Sequence, residues 1–305
     1  MRWQGFATAA TGLAVAYAAV TLVWNNLPVA QPQRWAAGDF PNVTLTTQDG
    51  QRVRFYDDLL KGKAVAIDLI YTDCKDECPL ETARLVQVQK LLGDRVGKDM
   101  FMYSISIDPK HDTPDVLKEY ADKFHAGPGW LFLTGDEHDI QTIAKKLGLN
   151  YTLDEKAVDG HGPTLMLGDE PTGQWMQRSA EDNPRFMASQ IRTFFGWPED
   201  APMRSYTDAK PLDINQGQYV YQARCVGCHT IGQGDLVGPD LAGVTARRDP
   251  AWLYQYIYAP DDVLASGDPI ASALFAKYRR IRMPNLSLSD DDVQAVIAFI
   301  DQSSK

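Results

Sequence analysis

The chain has four cysteines, and they fall into two close pairs, Cys74 with Cys78 and Cys225 with Cys228. A disulfide between such near neighbours closes so short a loop that it restricts the unfolded chain little, so stapling does not explain either pair. Metal ligation, redox exchange and cofactor attachment are the chemistries that two adjacent sulfurs can share. The second pair reads Cys225-Val226-Gly227-Cys228-His229. This is the attachment pattern for c-type haem, in which both sulfurs form thioethers and the histidine becomes an axial iron ligand. Zinc is the alternative, but it would need two further ligands, and no Cys or His follows His229.

The segments around this motif are those that a haem needs on its two faces. Residues Gln216 to Arg224 suit a helix leading into the motif, Gly238-Pro239-Asp240-Leu241 follows it, and Arg282-Met283-Pro284-Asn285-Leu286 contains the only methionine after His229. Over nearly all of 211–305 the chain resembles a class I cytochrome c. The resemblance implies that the Pro239 carbonyl accepts a hydrogen bond from His229, fixing ring orientation and ligand basicity. It also implies that Met283 supplies the sixth iron ligand. Ser289 opens a Ser-x-x-Asp helix start, with Asp290, Asp291 and Asp292 at the positive end of the helix dipole. Val293, Val296, Ile297 and Ile300 recur at helical spacing and should pack inward.

The first pair lies in a different setting. Ala64 to Tyr71 is a nearly continuous apolar run with the composition of a buried strand. It leads into Thr72-Asp73-Cys74-Lys75-Asp76-Glu77-Cys78-Pro79, and a helical pattern continues through Leu80, Leu85, Val88, Leu91 and Leu92. The cysteines are thus expected at a strand-to-helix junction, where the helix N-terminus stabilises thiolates. Further strands are expected at 100–107, 130–133 and 164–167, and helices at about 114–124, 137–147 and 183–194. Such alternation suits a thioredoxin-like sheet.

Cys-x-x-x-Cys-Pro after a strand, followed by Ser106-Ile107-Asp108-Pro109-Lys110-His111-Asp112-Thr113-Pro114, resembles the Sco/SenC family over about 36–198. The resemblance implies one copper ion held by Cys74, Cys78 and a distant histidine. It also implies a partner that is a cytochrome c oxidase subunit, or another copper or redox protein, whose binuclear copper centre is being assembled. Thiolates with an imidazole accommodate both Cu(I) and Cu(II). His161, in Asp159-Gly160-His161-Gly162-Pro163-Thr164, occupies the place expected for the family's ligand, with a structural turn histidine as the alternative. His111, His125 and His138 fall in or beside polar segments and read as solvent-exposed. Asp68 interrupts the apolar strand before Cys74. It is either a buried carboxylate with a raised pKa or a partly exposed strand-end residue. Asp108 reads as a loop-structuring residue.

The 305 residues are 44% hydrophobic and 23% charged, a globular composition with length enough for two cores and a tether. A formal charge of -10 argues against a nucleic-acid partner, because phosphate recognition needs Lys/Arg-rich surface. No glycine-rich nucleotide motif or Ser-His-Asp constellation stands out, which leaves hydride transfer and hydrolysis unsupported. Arg2 precedes an uncharged run from Phe6 to Trp24, close to the roughly 20 residues that span a bilayer as a helix. No small-x-small cleavage signature follows it, which favours an uncleaved anchor.

The expected organisation is a membrane anchor or signal segment at 1–30, a Sco-like thioredoxin-fold domain at 36–198, a linker at 199–210 and a cytochrome c domain at 211–305. In fold class this is an α/β thioredoxin-like domain followed by an all-α cytochrome c domain, with an N-terminal transmembrane helix. The chain is expected to be single-pass in the inner membrane, with its globular domains on the periplasmic or extracytoplasmic side. One covalent haem c and one copper are the expected cofactors. A copper chaperone and electron-transfer protein is expected rather than a turnover enzyme, assisting assembly of the copper A centre of cytochrome c oxidase. A thiol-disulfide oxidoreductase using Cys74 and Cys78, or an electron carrier that docks to an oxidase, are the alternatives.

Overall fold

The computed structural model describes residues 35, 37–74, 77–149, 163–198 and 214–304. Strands β1 (Thr44–Thr47), β2 (Arg52–Arg54), β3 (Ala64–Ile70), β4 (Met100–Ser106), β5 (Trp130–Gly135), β6 (Thr164–Asp169) and β7 (Gln174–Ser179) form one sheet in the order β2-β1-β5-β4-β3-β6-β7. The centre, β3-β4-β5, is parallel, and the flanking pairings are antiparallel. Helices α1 (Glu77–Leu92), α2 (Pro114–Phe124), α3 (Glu137–Leu147) and α4 (Pro184–Phe194) supply the crossovers and cover the faces. Parallel strands covered on both sides must be apolar on both sides, which is why β3 reads as a continuous run. Ala66 and Ile70 join one core with Met102, Phe132 and Leu85, and Val65, Ile67 and Leu69 join the other with Ile105, Leu133 and Ile140.

The sequence pattern misses β1, β2 and β7. These strands are short, lie in the antiparallel flanks and are rich in Thr, Arg and Gln, so they carry no apolar run. The expected strand at 100–107 ends at Ser106, whereas those begun at 130 and 164 continue to Gly135 and Asp169. Asn183 is the N-cap of α4 rather than its first residue, its side chain accepting the Arg185 N–H.

The C-terminal region is all-helical. It comprises α5 (Gln216–Val220), which widens into a π-type turn over Tyr221–Cys225, then α6 (Val244–Arg247), α7 (Pro250–Tyr258), α8 (Pro260–Ala265), α9 (Pro269–Lys277) and α10 (Asp290–Ser303). Ser289 and Asp292 form a reciprocal capping box at the start of α10. Val293, Val296 and Ile300 are buried as expected, while Ile297 is only half-buried. Helix α5 can cross α10 closely because residue 217 is glycine: a Cβ there would lie 2.1 Å from the Ala295 carbonyl oxygen.

Helix α1 has unusual surroundings. Ala83, Leu85, Val86, Val88 and Leu92 enter the sheet core, yet Glu81, Thr82, Arg84 and Gln89 are buried as well. An isolated sheet domain would leave that polar side wet. Thr82 pairs with Tyr120 and Gln89 with the loop at Gly127 and Pro128, whereas the helical region covers Arg84, and Val237, Cys228 and Ile281 extend the core formed by α1 and the sheet. The expected linker at 199–210 and the expected membrane segment at 1–30 lie outside the described residues. Among the described residues no helix is long and apolar enough to cross a membrane.

Asp68 is the one charged residue within β3, and it is buried. The Trp130 indole N–H donates to Ser104 Oγ (2.9 Å), and the Ser104 hydroxyl donates to Asp68 Oδ1 (2.7 Å). Asp68 Oδ2 is buried with no hydrogen-bond partner among the described residues. Burial pushes the carboxyl up to about 7, against the pull of the Ser104 hydrogen bond. Between the ordinary value near 4 and about 7 the native state therefore holds a proton that the unfolded chain has lost, so stability falls as pH rises through that window. The slope from this group is at most ~1.4 kcal/mol per pH unit. We expect Asp68→Asn to match wild type in denaturant titrations near pH 4 and to exceed it increasingly toward about pH 8. A constant difference across that range would contradict the assignment.

Candidate metal and haem sites

The first cysteine pair lies where β3 runs into α1. Cys74 is half-buried in the turn and Cys78 is buried in the first turn of the helix. The Cys78 N–H points at Cys74 Sγ, 3.4 Å away. Pro79 fits here because the first helical turn does not need its N–H. Burial, together with the neighbouring Cys74, pushes the Cys78 thiol well above its ordinary value. A cation bound between the sulfurs would offset the cost of ionising the buried Cys78.

Two residues that sequence reasoning did not single out hold this turn. Buried Asp112, in the loop after β4, accepts the Thr72 N–H (3.1 Å) and the Ser106 hydroxyl (2.6 Å) on Oδ2, and the Thr72 hydroxyl on Oδ1. It thereby ties the exit of β3 to the exit of β4. Burial raises its pKa, and the Ser106 and Thr72 hydrogen bonds oppose that rise. The Tyr120 hydroxyl, from α2, donates to the Cys78 carbonyl (3.3 Å) and pairs with Thr82 Oγ1 (3.0 Å). Asp112 stands within the Ser106–Pro114 motif and was legible as part of it. Tyr120 carried no local signal, because a buried tyrosine on an amphipathic helix reads as core.

His161, the third expected copper ligand, lies outside the described residues. His111, His125 and His138 are exposed, and His111 Nδ1 pairs with Asp108 Oδ2 at 2.7 Å. Asp108 thus acts in the loop, as expected. Among the described residues no cluster of three or more His, Cys, Asp or Glu side chains could hold a metal.

The second pair opens onto an apolar cavity, with a second cavity adjoining it. Cys225 lines the first, Cys228 the second, and His229 and Met283 line both. His229 Nδ1 lies 2.9 Å from the Pro239 carbonyl, to which it donates, leaving Nε2 available to a metal. Burial pushes the His229 ring below its ordinary value, against the pull of the Pro239 hydrogen bond, and so favours the neutral form that ligation uses. Asp240 accepts the N–H groups of Gly232 (2.8 Å), Gly234 (2.5 Å) and Ala242 (2.8 Å). These bonds hold its carboxyl well below the usual range and clamp the loop that carries Pro239. The Trp252 indole N–H borders the cavity, buried and without a hydrogen-bond partner among the described residues. A haem fits these walls: two sulfurs, an imidazole, a thioether, apolar sides, and Trp252, Arg247 and Arg248 as donors suited to propionates.

The architecture is thus a thioredoxin-like sheet domain with a paired-cysteine junction, joined to a small helical domain with a haem-attachment motif. The chain belongs to the SCO1/SenC family, whose model matches residues 33–195, and the Cytochrome c family model matches residues 214–304. A SCO2-like protein of Rickettsia felis is 37% identical over 114 residues, 37% of this chain and 52% of that protein. The SCO1 protein homolog of Bacillus subtilis is 35% identical over 105 residues, 34% of this chain and 53% of that protein. The chain therefore spans about half the length of these relatives. The solved structure of Bradyrhizobium japonicum ScoI with copper bound aligns at 26% identity and a TM-score of 0.42, covering 50% of this chain and 96% of that one.

Gly238 provides the local test of the second site. A Cβ there would lie 2.6 Å from His229 Cε1, closer than real side chains approach, so any larger residue must displace the ring. Gly238→Ala is expected to destabilise the helical domain by ~1–3 kcal/mol and to lower the amount of haem retained per chain. Wild-type denaturation midpoints together with wild-type haem content would contradict the packing argument.

Proposed function

We propose that this chain is a membrane-anchored, copper-binding and haem-containing redox protein that assists assembly of the copper A centre of cytochrome c oxidase, with one-electron transfer through the haem. The observation that carries the reading is the placement of the two cysteine pairs at the two ends of one buried contact. Helix α1 carries Cys78 in its first turn and packs through Leu80, Arg84 and Gln87 on the segment that contains Cys225 and Cys228. Family membership supports copper as the cargo, and thiolate with imidazole is a donor set that holds both copper oxidation states. In this reading Cys74 and Cys78 give the two sulfurs and His161 the imidazole. Asp112 and Tyr120 hold the turn so that the sulfurs need little reorganisation.

Haem supplies one-electron chemistry when bound. Cys225 and Cys228 would attach it, His229 and Met283 would face its iron, and Pro239 would keep the His229 ring oriented. The uncharged run Phe6–Trp24 is the proposed single-pass anchor, with both domains outside the cytoplasm. The partner is then a copper-accepting oxidase subunit, or another copper or redox protein, at the membrane surface.

One observation favours a second reading. A half-exposed sulfur beside a buried one is also the asymmetry that a thiol-disulfide oxidoreductase uses. His161→Ala separates the two, because imidazole contributes to metal ligation and not to sulfur exchange. With the cysteines reduced, the substitution is expected to weaken Cu(II) binding at least about tenfold and to diminish thiolate-to-copper absorption, while leaving disulfide formation intact. Equal copper affinity in the two proteins, with substantial disulfide reductase activity in both, would sink the copper reading and leave the oxidoreductase.

A further inference from the structure

Arg84 is a charged side chain that the sheet domain lends to the haem-attachment segment. It is 2% exposed. One guanidinium nitrogen donates to the Glu181 carbonyl, and the other donates across the domain boundary to the Ala223 carbonyl. Ala223 lies in the wide turn that runs into Cys225, so its carbonyl is one that a helix end leaves needing a partner. Gly227, between the two haem-site cysteines, lies against the Arg84 stem, where a Cβ would sit 3.4 Å from Arg84 Cγ. Beside it, Gln87 donates to the carbonyls of Val226 (2.5 Å) and Gly227 (3.1 Å).

The charges around Arg84 are unevenly placed. Glu181, Asp182 and Arg224 are the neighbouring ionised groups, with Arg224 3.8 Å from the Glu181 carboxylate. All three reach solvent, whereas Arg84 does not. Water and salt therefore screen them more than they screen the buried guanidinium. The guanidinium sits on the Ala223 carbonyl and its stem lies against Gly227, so the buried charge is held beside the segment that carries both sulfurs.

We propose that Arg84 is a positioning residue for the haem, and that its buried charge holds the reduction potential of the iron above the value that the helical domain alone would set. The inference rests on the haem reading given above. Reduction adds an electron to the iron, and a buried cation nearby stabilises the reduced form more than the oxidised one. Because Arg84 belongs to the helix that begins at the first cysteine pair, the thioredoxin-like domain contributes directly to the redox properties of its neighbour.

Spectroelectrochemical titration of the full-length holoprotein tests this with three variants. R84Q is expected to shift the one-electron equilibrium toward the oxidised form about tenfold, ~59 mV, while retaining the sulfur-to-iron charge-transfer band. R84K keeps the charge and should stay within about threefold of wild type, ~28 mV. E181Q removes a neighbouring negative charge and should raise the potential by a smaller amount. An unmoved R84Q potential, or a fall as large in R84K, overturns the inference. If R84Q does not fold, an unmoved or lowered E181Q potential does so instead. Wild-type protein lacking covalent haem would overturn the haem reading and this inference with it, whereas covalent haem with an insensitive potential overturns this inference alone.

Discussion

Burial of the polar side of α1 is the constraint on which the rest of the structure depends. A guanidinium removed from water costs several kcal/mol unless it is fully hydrogen-bonded, so Arg84 can be buried only where carbonyls converge on it. The Glu181 loop provides one carbonyl and the Ala223 turn provides the other. The second belongs to the segment that holds Cys225 and Cys228, so satisfying the cation fixes the helical domain against the sheet domain. Gln87 repeats the arrangement one turn further along. On the far side of the interface, Arg279, held in the left-handed region, donates to the Asp122 carbonyl near the end of α2 (2.6 Å). The loop leading to Met283 is thereby tied to the sheet domain as well.

This coupling was not legible in the sequence, whereas most of what it couples was. The β3 run, the cap at Ser289 and the spacing of both cysteine pairs are local signals, produced by burial on both faces, by helix-end hydrogen bonding and by the geometry of the sites. Arg84 and Gln87 look like the wet side of an amphipathic helix, because the pattern within a helix records which side is polar and not whether another domain covers it. The flanking strands β1, β2 and β7 escaped notice for a related reason. Most of their residues stay at least partly exposed, so no apolar run announces them. Asp68 shows the limit from the other direction: a carboxylate in an apolar run signals either a buried acid or a strand end, and only the register of Ser104 against it decides.

At the candidate sites, motif residues were legible and their supports were not. Cys225, Cys228, His229, Pro239 and Met283 surround one pair of adjoining cavities, and the His229–Pro239 hydrogen bond has the expected geometry. Asp240 and Trp252 border the same region, yet neither the three N–H groups on Asp240 nor the indole donor, unpartnered among the described residues, could be read from spacing. At the first pair, Asp112 fixes the strand exit through side chains contributed by two different strand ends. Both sites thus use carboxylates to hold loops while sulfur and imidazole are left for chemistry, and a buried charge beside the haem-attachment segment comes from the domain that carries the other sulfur pair.

The central claim is that one chain holds a covalent haem and a copper site in a single folded unit. Metal and haem quantification on the purified full-length protein tests it most directly, with spectra recorded before and after addition of copper and again after extraction with acidified organic solvent. The account predicts one haem per chain that resists extraction because both thioethers are covalent. It also predicts one copper per chain that adds thiolate-to-copper absorption without displacing the haem. Haem that passes into the solvent, or copper bound no better than by an exposed dithiol, would contradict it.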